Sequence, residues 1–319
     1  MSQTNKPYPS IFRSGTDYDL PRCENAFEKY TDFKELGSGG SGVLYSCYDQ
    51  YMGRRVVMKR LPREQADDTS LRRRFLREAR ITAQLQHPNT PPVYEVGLDD
   101  EGQLYFSMKK IEGRNLFRII AGIAQGKEEI IEKFTLKRLL NILNQTCQSL
   151  YYAHTHGVIH RDVKPENIMI GMFSEVILMD WGVAKVWGQH DDEAQKGSYV
   201  FDRLTSAGQR PGTPLYMSPE QVTNSRPVDA RTDIFSMGVT LYEVLAQREP
   251  FRGQNIQETF ANIVDFTPDP PSSIAKHFEV PEVLDDACMK AIEKDPADRH
   301  ENIFELAETF RIAAEQMPE

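Results

Sequence analysis

The feature that most constrains the fold of this 319-residue chain is the polar segment at residues 160–167, with the sequence HRDVKPEN. It combines a proton acceptor, Asp162, with cationic side chains and with Asn167, whose amide oxygen can bind a metal ion. A helical pattern ends just before it at Gly157, and the apolar residues 168–170 follow it directly. The fold must therefore present a charged loop between two buried elements, and this loop is a candidate catalytic site.

A second acidic position follows the next apolar run. Residues 176–179 are apolar, and Asp180, Trp181 and Gly182 come directly after them. A carboxylate that follows a short buried strand is a suitable ligand for a divalent cation. The sequence therefore predicts a metal ligand at Asp180.

Glycines recur in residues 37–42, with the sequence GSGGSG, between two runs that are typical of β-strands. Glycine allows a backbone to bend sharply and to approach phosphate groups without an intervening side chain. A dinucleotide-binding loop would lead into a helix, whereas residues 43–46 continue as a strand. The loop is therefore either a phosphate-covering hairpin or a plain glycine-rich turn.

Lys59 ends the third predicted strand, residues 56–59, where its ammonium group could reach phosphates under the glycine-rich loop. Glu78 lies in the amphipathic helix predicted next and could fix the lysine by an ion pair. The alternatives are a solvated strand lysine and an acid on a helix surface. The presence of the other motifs favours the ion pair.

The periodicity of apolar residues divides the chain into three parts. Residues 1–27 are polar with several prolines, which predicts an extended or partly disordered leader. Residues 28–111 carry short strand patterns and one helix, which predicts a small antiparallel sheet. Residues 112–319 are mainly helical, and the apolar residues 234–245 should form the buried axis of this part. The predicted fold class is α+β, with two lobes.

Composition excludes several classes of protein. The formal net charge of -9 argues against binding through nucleic-acid phosphates. The four cysteines are dispersed without a CxxC pair and predict neither a zinc site nor a disulfide framework. No apolar run reaches the ~18 residues of a membrane-spanning helix, and the N-terminus lacks the apolar core of a secretory signal. We therefore expect a cytoplasmic protein with no nucleic-acid partner and no membrane segment in this chain.

In order and spacing, these motifs resemble the protein-kinase superfamily, and in particular its bacterial eukaryotic-like Ser/Thr members. The resemblance runs from about residue 30 to about residue 311. It continues in residues 212–220, with the sequence GTPLYMSPE, in Asp233, and in Arg299, which resembles the arginine that pairs with Glu220. It implies a bilobal kinase-like fold, with an antiparallel β-sheet N-lobe that carries one helix and a larger, mostly α-helical C-lobe.

The resemblance also implies catalytic roles. Asp162 would orient the substrate hydroxyl and accept its proton, and Lys164 would stabilise the transferred phosphoryl group. Asn167 and Asp180 would hold Mg²⁺ between the phosphates of ATP. The implied reaction is transfer of the γ-phosphoryl group of ATP to Ser or Thr hydroxyls of protein substrates.

ATP is therefore the implied nucleotide. Lys59, held by Glu78, would contact its α- and β-phosphates, and Met108 would be the gatekeeper residue beside the adenine. The implied ATP-binding residues are Leu36, Gly37, Ser38, Gly39, Gly40, Ser41, Gly42, Val43, Val57, Lys59, Met108, Lys109, Ile111 and Met169. The apolar members of this set can equally be plain core residues.

Three features depart from the usual pattern of the family. Trp181 stands where the family usually has phenylalanine, and its larger ring could shift the balance between two positions of Asp180. Val57 replaces the usual alanine and narrows the adenine site. Residues 122–135 resemble an insertion that is typical of PknD-like bacterial kinases.

The resemblance makes residues 180–220 an activation segment. Thr205 and Ser206 are its candidate phosphorylation sites, and autophosphorylation could order the segment through nearby arginines. Lys164 and Thr213 are similar to the Ser/Thr branch, and Thr213 is expected to hydrogen-bond the catalytic loop. Because the family often dimerises through its first lobe, a homodimer through the N-lobe is a further expectation.

Two alternatives stay open. A pseudokinase that binds nucleotide as a scaffold would lack a catalytic residue, and all of those named above are present. That alternative depends only on Trp181 and on the insertion. A kinase-like small-molecule phosphotransferase would lack the peptide platform at residues 213–220, which this sequence contains.

Overall fold

The structure, a computed structural model, describes residues 26–39, 42–186 and 214–317. The chain divides into two compact units. Unit 1 contains the residues up to Ala79 together with Pro92–Lys110, and unit 2 contains Arg80–Pro91 together with Ile111–Glu319. Unit 1 is mainly an antiparallel sheet and unit 2 is mainly helical, so the predicted α+β class is confirmed.

Unit 1 is built on a five-stranded antiparallel sheet with the strand order β1-β2-β3-β5-β4. The strands are β1 (Tyr30–Gly39), β2 (Gly42–Asp49), β3 (Arg54–Arg60), β4 (Val93–Leu98) and β5 (Leu104–Lys109). Val56 and Met58 of β3 pack with Tyr30, Cys47 and Tyr105 in an apolar cluster on one face of the sheet. Because side chains alternate along a strand, Lys59 points to the opposite face.

Helix α1 (Thr69–Gln84) follows β3. Asp68 directly precedes this helix, and its side chain accepts hydrogen bonds from two backbone N–H groups of the first turn. Phe75 of α1 packs against Phe106 of β5, with 5.2 Å between the ring centroids. The division between the units falls within this helix, and Glu78 lies in the part that belongs to unit 1.

Unit 2 is organised around one buried helix. Its helices are α2 (Leu116–Ala124), α3 (Glu128–Lys133), α4 (Leu136–Thr155), α5 (Pro219–Thr223), α6 (Arg231–Ala246), α7 (Ile256–Asp265), α8 (Glu282–Ala291) and α9 (Ile303–Gln316). All residues of α6 from Thr232 to Ala246 are buried, as the apolar sequence predicted. Helix α8 approaches it so closely that a Cβ atom at Gly238 would lie 2.6 Å from the Cβ atom of Ala291. Within the described ranges, no helix is long and apolar enough to cross a lipid bilayer.

Short strands of unit 2 position the polar loops. They are β6 (Gly113–Asn115), β7 (Val158–Ile159), β8 (Ile168–Gly171), β9 (Val176–Leu178) and β10 (Lys185–Val186). In the antiparallel pair of β8 and β9, Ile168 lies opposite Leu178. The chain that enters β8 and the chain that leaves β9 therefore lie at the same end of this pair. As a result, the loop at residues 160–167 and the loop at residues 179–182 are neighbours.

The segment that resembles an insertion, residues 122–135, is helical and packed. It contains the end of α2, a turn with Gly126 at φ 68° and helix α3. Ile130 of α3 lies against Gly122, where an added Cβ atom would be 2.3 Å from the Ile130 side chain. Phe134 is also buried. Ile130 and Phe134 thus anchor the segment to the core of unit 2, while residues 124–129 are exposed.

Candidate active site

A buried carboxylate fixes the first part of the polar loop. Asp233 of α6 accepts hydrogen bonds from the backbone N–H groups of His160 and Arg161, each at 2.8 Å, and contacts His154 Nε2 at 2.8 Å. Burial would raise the pKa of Asp233, but the hydrogen bonds and the His154 ring outweigh it and hold the pKa below its usual range. The ionised carboxylate therefore anchors the loop, in which Arg161 takes a left-handed φ of 67°.

The next residues of the loop form a compact polar cluster. Lys164 Nζ lies 2.9 Å and 3.1 Å from the two carboxylate oxygens of Asp162. The side-chain amide nitrogen of Asn167 donates to the Asp162 carbonyl at 2.8 Å and to its carboxylate at 3.2 Å. Because the amide nitrogen faces Asp162, the amide oxygen of Asn167 faces away from it. Sequence analysis placed these three residues in one site, and the structure brings them together.

Asp180 follows β9 and is tied to the same loop. It has a left-handed φ of 61°, and its carboxylate accepts the backbone N–H of Gly182 at 3.3 Å. The preceding peptide is held on both sides: Met179 N–H donates to the Asn167 carbonyl at 2.8 Å, and its carbonyl contacts His160 Nε2 at 3.0 Å. The backbone positions of Asp180 and Asn167 are therefore fixed relative to each other.

The donor set at this position suits Mg²⁺. Mg²⁺ prefers oxygen ligands and is commonly held by one or two protein groups together with substrate phosphates. Asp180 supplies a carboxylate, and Asn167 supplies an amide oxygen whose orientation is set by the amide nitrogen. No group of three or more His, Cys, Asp and Glu side chains that could hold a metal occurs among the described residues. The carboxylate of Asp180 and the amide oxygen of Asn167 therefore fit a magnesium ion that is bound together with substrate phosphates.

Unit 1 contains the predicted ion pair. Lys59 Nζ lies 2.6 Å from Glu78 Oε1, and each side chain is only 6% exposed. Strand β3 supplies the lysine and helix α1 supplies the glutamate. The alternatives of a solvated lysine and a surface acid are wrong, because both groups are buried and paired.

The glycine-rich loop joins β1 to β2, with Gly39 opposite Gly42 in the strand register. Gly42 has a φ of 144°, and an added Cβ atom would lie 2.9 Å from the Arg60 carbonyl oxygen. Only glycine fits this position without displacing β3. Gly40 and Ser41, between these strands, lie outside the described residues.

The remaining predicted nucleotide-binding residues are distributed over both units. In unit 1, Val57 of β3 lies opposite Met108 of β5, and both are buried. Leu36 is exposed, and Val43 and Lys109 are half-buried. Gly37 and Ser38 lie in β1. In unit 2, Ile111 and Met169 are half-buried.

Trp181 is almost completely buried, with 1% of its surface exposed. Its indole N–H donates to the Leu178 carbonyl at 3.2 Å. Its ring packs edge-on against His160, with 4.5 Å between ring centroids. The residue that departs from the family pattern is therefore well packed in this structure.

The predicted pair of Arg299 and Glu220 is confirmed. Two parallel hydrogen bonds of 2.9 Å join the guanidinium group to the carboxylate, and the side chains are 0% and 2% exposed. Burial would raise the pKa of Glu220, but Arg299 outweighs it and holds the pKa below its usual range. The guanidinium also donates to the carbonyls of Glu293, Arg231 and Lys294.

Sequence analysis missed a second buried carboxyl group near this region. Glu243 of α6 accepts a hydrogen bond of 2.5 Å from Tyr216 Oη, and burial raises the pKa of Glu243 to about 8. Its presence within the apolar run at residues 234–245 was the available signal, because an acid in a fully buried helix needs a partner or a proton. His154, which contacts Asp233, was also missed.

The residues of the predicted activation segment that carry candidate modifications, Thr205, Ser206 and Thr213, lie outside the described residues. The structure describes the last residues of this segment, from Pro214 onward. Pro214–Tyr216 form a 3₁₀ turn, and Ser218 caps the N-terminus of helix α5 in a capping box.

The chain is similar in sequence to bacterial proteins named serine/threonine-protein kinase PknD. It is 34% identical over 289 residues to the serine/threonine-protein kinase PknD of Chlamydia pneumoniae, covering 88% of this chain and 30% of that protein. It is 32% identical over 301 residues to the protein of the same name from Chlamydia caviae, covering 92% of this chain and 32% of the relative. The chain thus spans about a third of the length of the curated relatives it matches, and the predicted resemblance to PknD-like kinases is confirmed.

The family described as protein kinase domain matches residues 30–316. This match includes both units, from the first strand of the sheet to the last helix of unit 2. The matched range includes the ion pair of Lys59 and Glu78 in unit 1 and the polar loops of unit 2. Sequence analysis had assigned these features to the same superfamily. The chain belongs to the protein kinase domain family.

Proposed function

We propose that the chain transfers the γ-phosphoryl group of ATP to Ser or Thr hydroxyl groups of proteins. The observation that carries this proposal is the cluster of Asp162, Lys164 and Asn167, in which a carboxylate, an ammonium group and an amide are held within hydrogen-bond distance. Family membership and the names of the relatives support the same activity.

The proposed chemistry gives each residue of the cluster one task. The Asp162 carboxylate accepts the proton of the substrate hydroxyl as its oxygen bonds to the γ-phosphorus, and the bond from that phosphorus to the β-phosphate oxygen breaks to leave ADP. Lys164, within 2.9 Å of Asp162, places a positive charge beside the transferred group. Asn167 and Asp180 would hold Mg²⁺, which neutralises phosphate charge when bound.

Unit 1 would contribute the nucleotide contacts. Lys59 would donate to the α- and β-phosphates, and its 2.6 Å contact with Glu78 would keep the ammonium group in one position. The glycine-rich loop would cover the phosphates with backbone N–H groups. Val57 and Met108 would lie against the adenine.

Several finer assignments rest on the resemblance alone. We propose Thr205 and Ser206 as sites of autophosphorylation and Thr213 as a hydrogen-bond partner of the catalytic loop. We also propose a cytoplasmic location, a homodimer formed through the N-lobe, and a lobe boundary after residue 111. Protein substrates that carry Ser or Thr follow from the proposed activity.

The test is intact-mass analysis of the purified protein after incubation with Mg²⁺ and ATP, followed by mapping of phosphorylated residues. We expect phosphate on Ser or Thr residues of the wild-type protein, or on a generic protein acceptor. Asp162→Asn is the control, and it should retain nucleotide binding while its transfer rate falls by about 10²- to 10⁴-fold.

The alternative is a pseudokinase that binds nucleotide without turnover. Absence of phosphate on both the wild-type protein and the acceptor, with nucleotide binding retained, would support that alternative. Equal phosphorylation of wild type and Asp162→Asn would remove Asp162 from its assigned role.

A further inference from the structure

The turn between β8 and β9 presents two large apolar side chains to solvent. Met172 is 74% exposed and Phe173 is 82% exposed, the highest values among the large apolar side chains in the part of the chain that the structure describes. Single exposed apolar residues are common on protein surfaces, whereas two adjacent ones at a turn form a protruding apolar tip. Neither residue belongs to the polar cluster of the active site. The tip is therefore an apolar surface that the proposed reaction does not use.

Hydrogen bonds fix the backbone of this turn. Gly171 N–H donates to the Glu175 carbonyl at 2.8 Å, and Phe173 N–H donates to the Glu175 carboxylate at 3.0 Å. Met172 N–H donates to the carbonyl of Glu112, next to β6, at 2.9 Å. An added Cβ atom at Gly171 would lie 2.1 Å from the Glu175 carboxyl carbon, so the glutamate folds closely over the turn. Because the two apolar residues stand on a fixed backbone, a partner that binds them pays little ordering entropy.

Two cations lie beside the turn. Arg138 of α4 donates to Ser174 Oγ at 3.0 Å and to the Lys133 carbonyl at 3.2 Å. Its guanidinium group lies 4.7 Å from the centre of the Phe134 ring, and the Lys133 ammonium group lies 6.0 Å from the same centre. Arg138 thus joins the apolar tip to a cationic surface at the end of α3.

The charge around the turn differs from that of the whole chain. The formal net charge of the chain is -9, whereas residues 133–138, with the sequence KFTLKR, carry three cations and no acid. The nearby acids are Glu132, which is exposed, and Glu175, whose carboxylate is bound to the backbone of the turn. On the β6 side of the turn, Glu112 and Arg114 have opposite charges. Charge complementarity therefore favours an acidic partner.

We propose that the surface formed by Met172, Phe173, Lys133 and Arg138, called the turn surface below, docks an acidic segment with apolar side chains in the protein substrates. This inference rests on the proposed function, because it names how the substrates of that activity are held. The apolar side chains of the segment pack on Met172 and Phe173, and its carboxylates lie beside the two cations. Docking away from the catalytic cluster raises the effective concentration of the substrate hydroxyl without a new catalytic contact.

The first test selects peptides from a random display library on the wild-type protein, without ATP or Mg²⁺, and measures their affinity by fluorescence anisotropy. We expect peptides in which Asp or Glu accompanies apolar residues. Their affinity should fall about tenfold in Phe173→Ser, the scale of one apolar side chain lost from a packed contact. It should keep the wild-type value in Phe266→Ser, the matched control, because Phe266 is 49% exposed and lies at the end of α7.

The cationic part of the turn surface is tested with the same peptides. Lys133→Gln should weaken binding about two- to fivefold, and this effect should shrink at high salt. The control is Lys276→Gln, at an exposed lysine elsewhere in unit 2, which should leave affinity unchanged. Failure to select any peptide whose binding depends on Phe173, or selection of basic peptides, overturns the proposal.

Sedimentation velocity separates this proposal from self-association. A wild-type dimer that Phe173→Ser converts to monomers would assign the turn surface to a second copy of the chain and would overturn the proposal. We expect the same sedimentation coefficient for the two proteins.

The second test joins a selected peptide to a short Ser-containing acceptor and measures phosphoryl transfer. In the wild type, KM should be about tenfold lower for the joined acceptor than for the acceptor alone, with kcat unchanged. In Phe173→Ser the two KM values should be equal. Equal KM values in the wild type overturn docking of substrates. Absence of transfer to both acceptors would instead contradict the proposed function, and the turn surface is then decided by the binding test, which uses no turnover.

Discussion

Two buried ion pairs, one in each unit, use different cations. In unit 1, Lys59 meets Glu78 through a contact of 2.6 Å between one nitrogen and one oxygen. In unit 2, Arg299 meets Glu220 through two parallel bonds of 2.9 Å, and its guanidinium also donates to three backbone carbonyls. The cation of the first pair is a compact ammonium group on a flexible side chain. The cation of the second pair is a rigid, planar guanidinium group that binds several partners.

The difference separates a pair suited to a ligand from a pair suited to structure. A lysine ammonium group has three donors that can rotate, so it can keep one bond to Glu78 while it donates to a phosphate. A guanidinium group is planar and always charged, and here its bonds join Glu220 to the backbone at residues 231, 293 and 294. Removal of a partner should therefore have different consequences in the two units.

The largest effect is expected from Arg299→Ala. This change leaves the Glu220 carboxylate buried without its cation, which typically costs about 3–5 kcal/mol of unfolding free energy. Urea denaturation measures it through the midpoint at constant slope. The control is Arg226→Ala, because Arg226 makes a 2.9 Å pair with Asp295 in which the side chains are 48% and 49% exposed. Equal shifts of the midpoint in the two variants would contradict the structural role of Arg299.

Glu78→Gln tests the pair in unit 1 and should lower phosphoryl transfer more than stability. Loss of the charge that positions Lys59 should reduce kcat/KM by about 10²-fold, the scale expected for misplacement of a catalytic group. The unfolding free energy should fall by less than in Arg299→Ala, because Arg299→Ala also removes the guanidinium donor of three backbone carbonyls, those of Arg231, Glu293 and Lys294.

The matched control for Glu78→Gln is Glu95→Gln. Glu95 also forms a pair with a lysine, Lys29, in unit 1, and it accepts a hydrogen bond from Tyr105. It lies outside the predicted nucleotide site, so its variant should keep the transfer rate of the wild type. Comparable losses of transfer in both variants would show that both acids of unit 1 act on transfer through stability.

Glu243 is a third buried carboxyl group, and it differs from Glu78 and Glu220 because a proton, not a neighbouring cation, neutralises it. Burial raises the pKa of Glu243 to about 8, with Glu249 and Glu166 raising it further and Tyr216 and Arg252 opposing. Between the unfolded value near 4.5 and about 8, the folded protein binds one more proton than the unfolded chain. Wild-type stability should therefore fall as pH rises through this window.

Glu243→Gln should remove this dependence. A neutral amide can accept a hydrogen bond from the Tyr216 hydroxyl at any pH. As pH rises from about 6 to about 7.5, the unfolding free energy of the variant should therefore increase relative to that of the wild type by about 2 kcal/mol. Urea denaturation across this range measures the difference, with Tyr216→Phe as a variant that keeps the acid. A constant difference between Glu243→Gln and wild type would show that Glu243 is ionised in the folded protein.

The sequence predicted the local parts of the site because their chemistry is concentrated in short segments. Asp162, Lys164 and Asn167 are separated by few residues, so their proximity follows from one loop. The position of Asp180 beside that loop follows from two apolar strands that each adjoin a polar turn. The α+β class followed from the spacing of apolar residues, which changes from a pattern typical of strands to one typical of helices along the chain.

Contacts between distant residues could not be predicted from pattern alone. The bonds of Glu243 with Tyr216 and of His154 with Asp233 depend on which faces of the helices meet, and periodicity does not determine this. The bond from Trp181 to Leu178 depends on one side-chain rotamer. The pair of Arg299 and Glu220, 79 positions apart, was predicted only through the family resemblance.

The turn between α2 and α3 has a practical consequence for protein engineering. Residues 124–129 are exposed. At Gly126, no neighbouring atom would lie within 4 Å of an added Cβ atom, so the space around this residue is open. Exposed tips of this kind tolerate added sequence well. A fluorophore or affinity tag attached there would be carried by the helical segment that is packed through Ile130, while the polar loops of unit 2 keep their own hydrogen bonds.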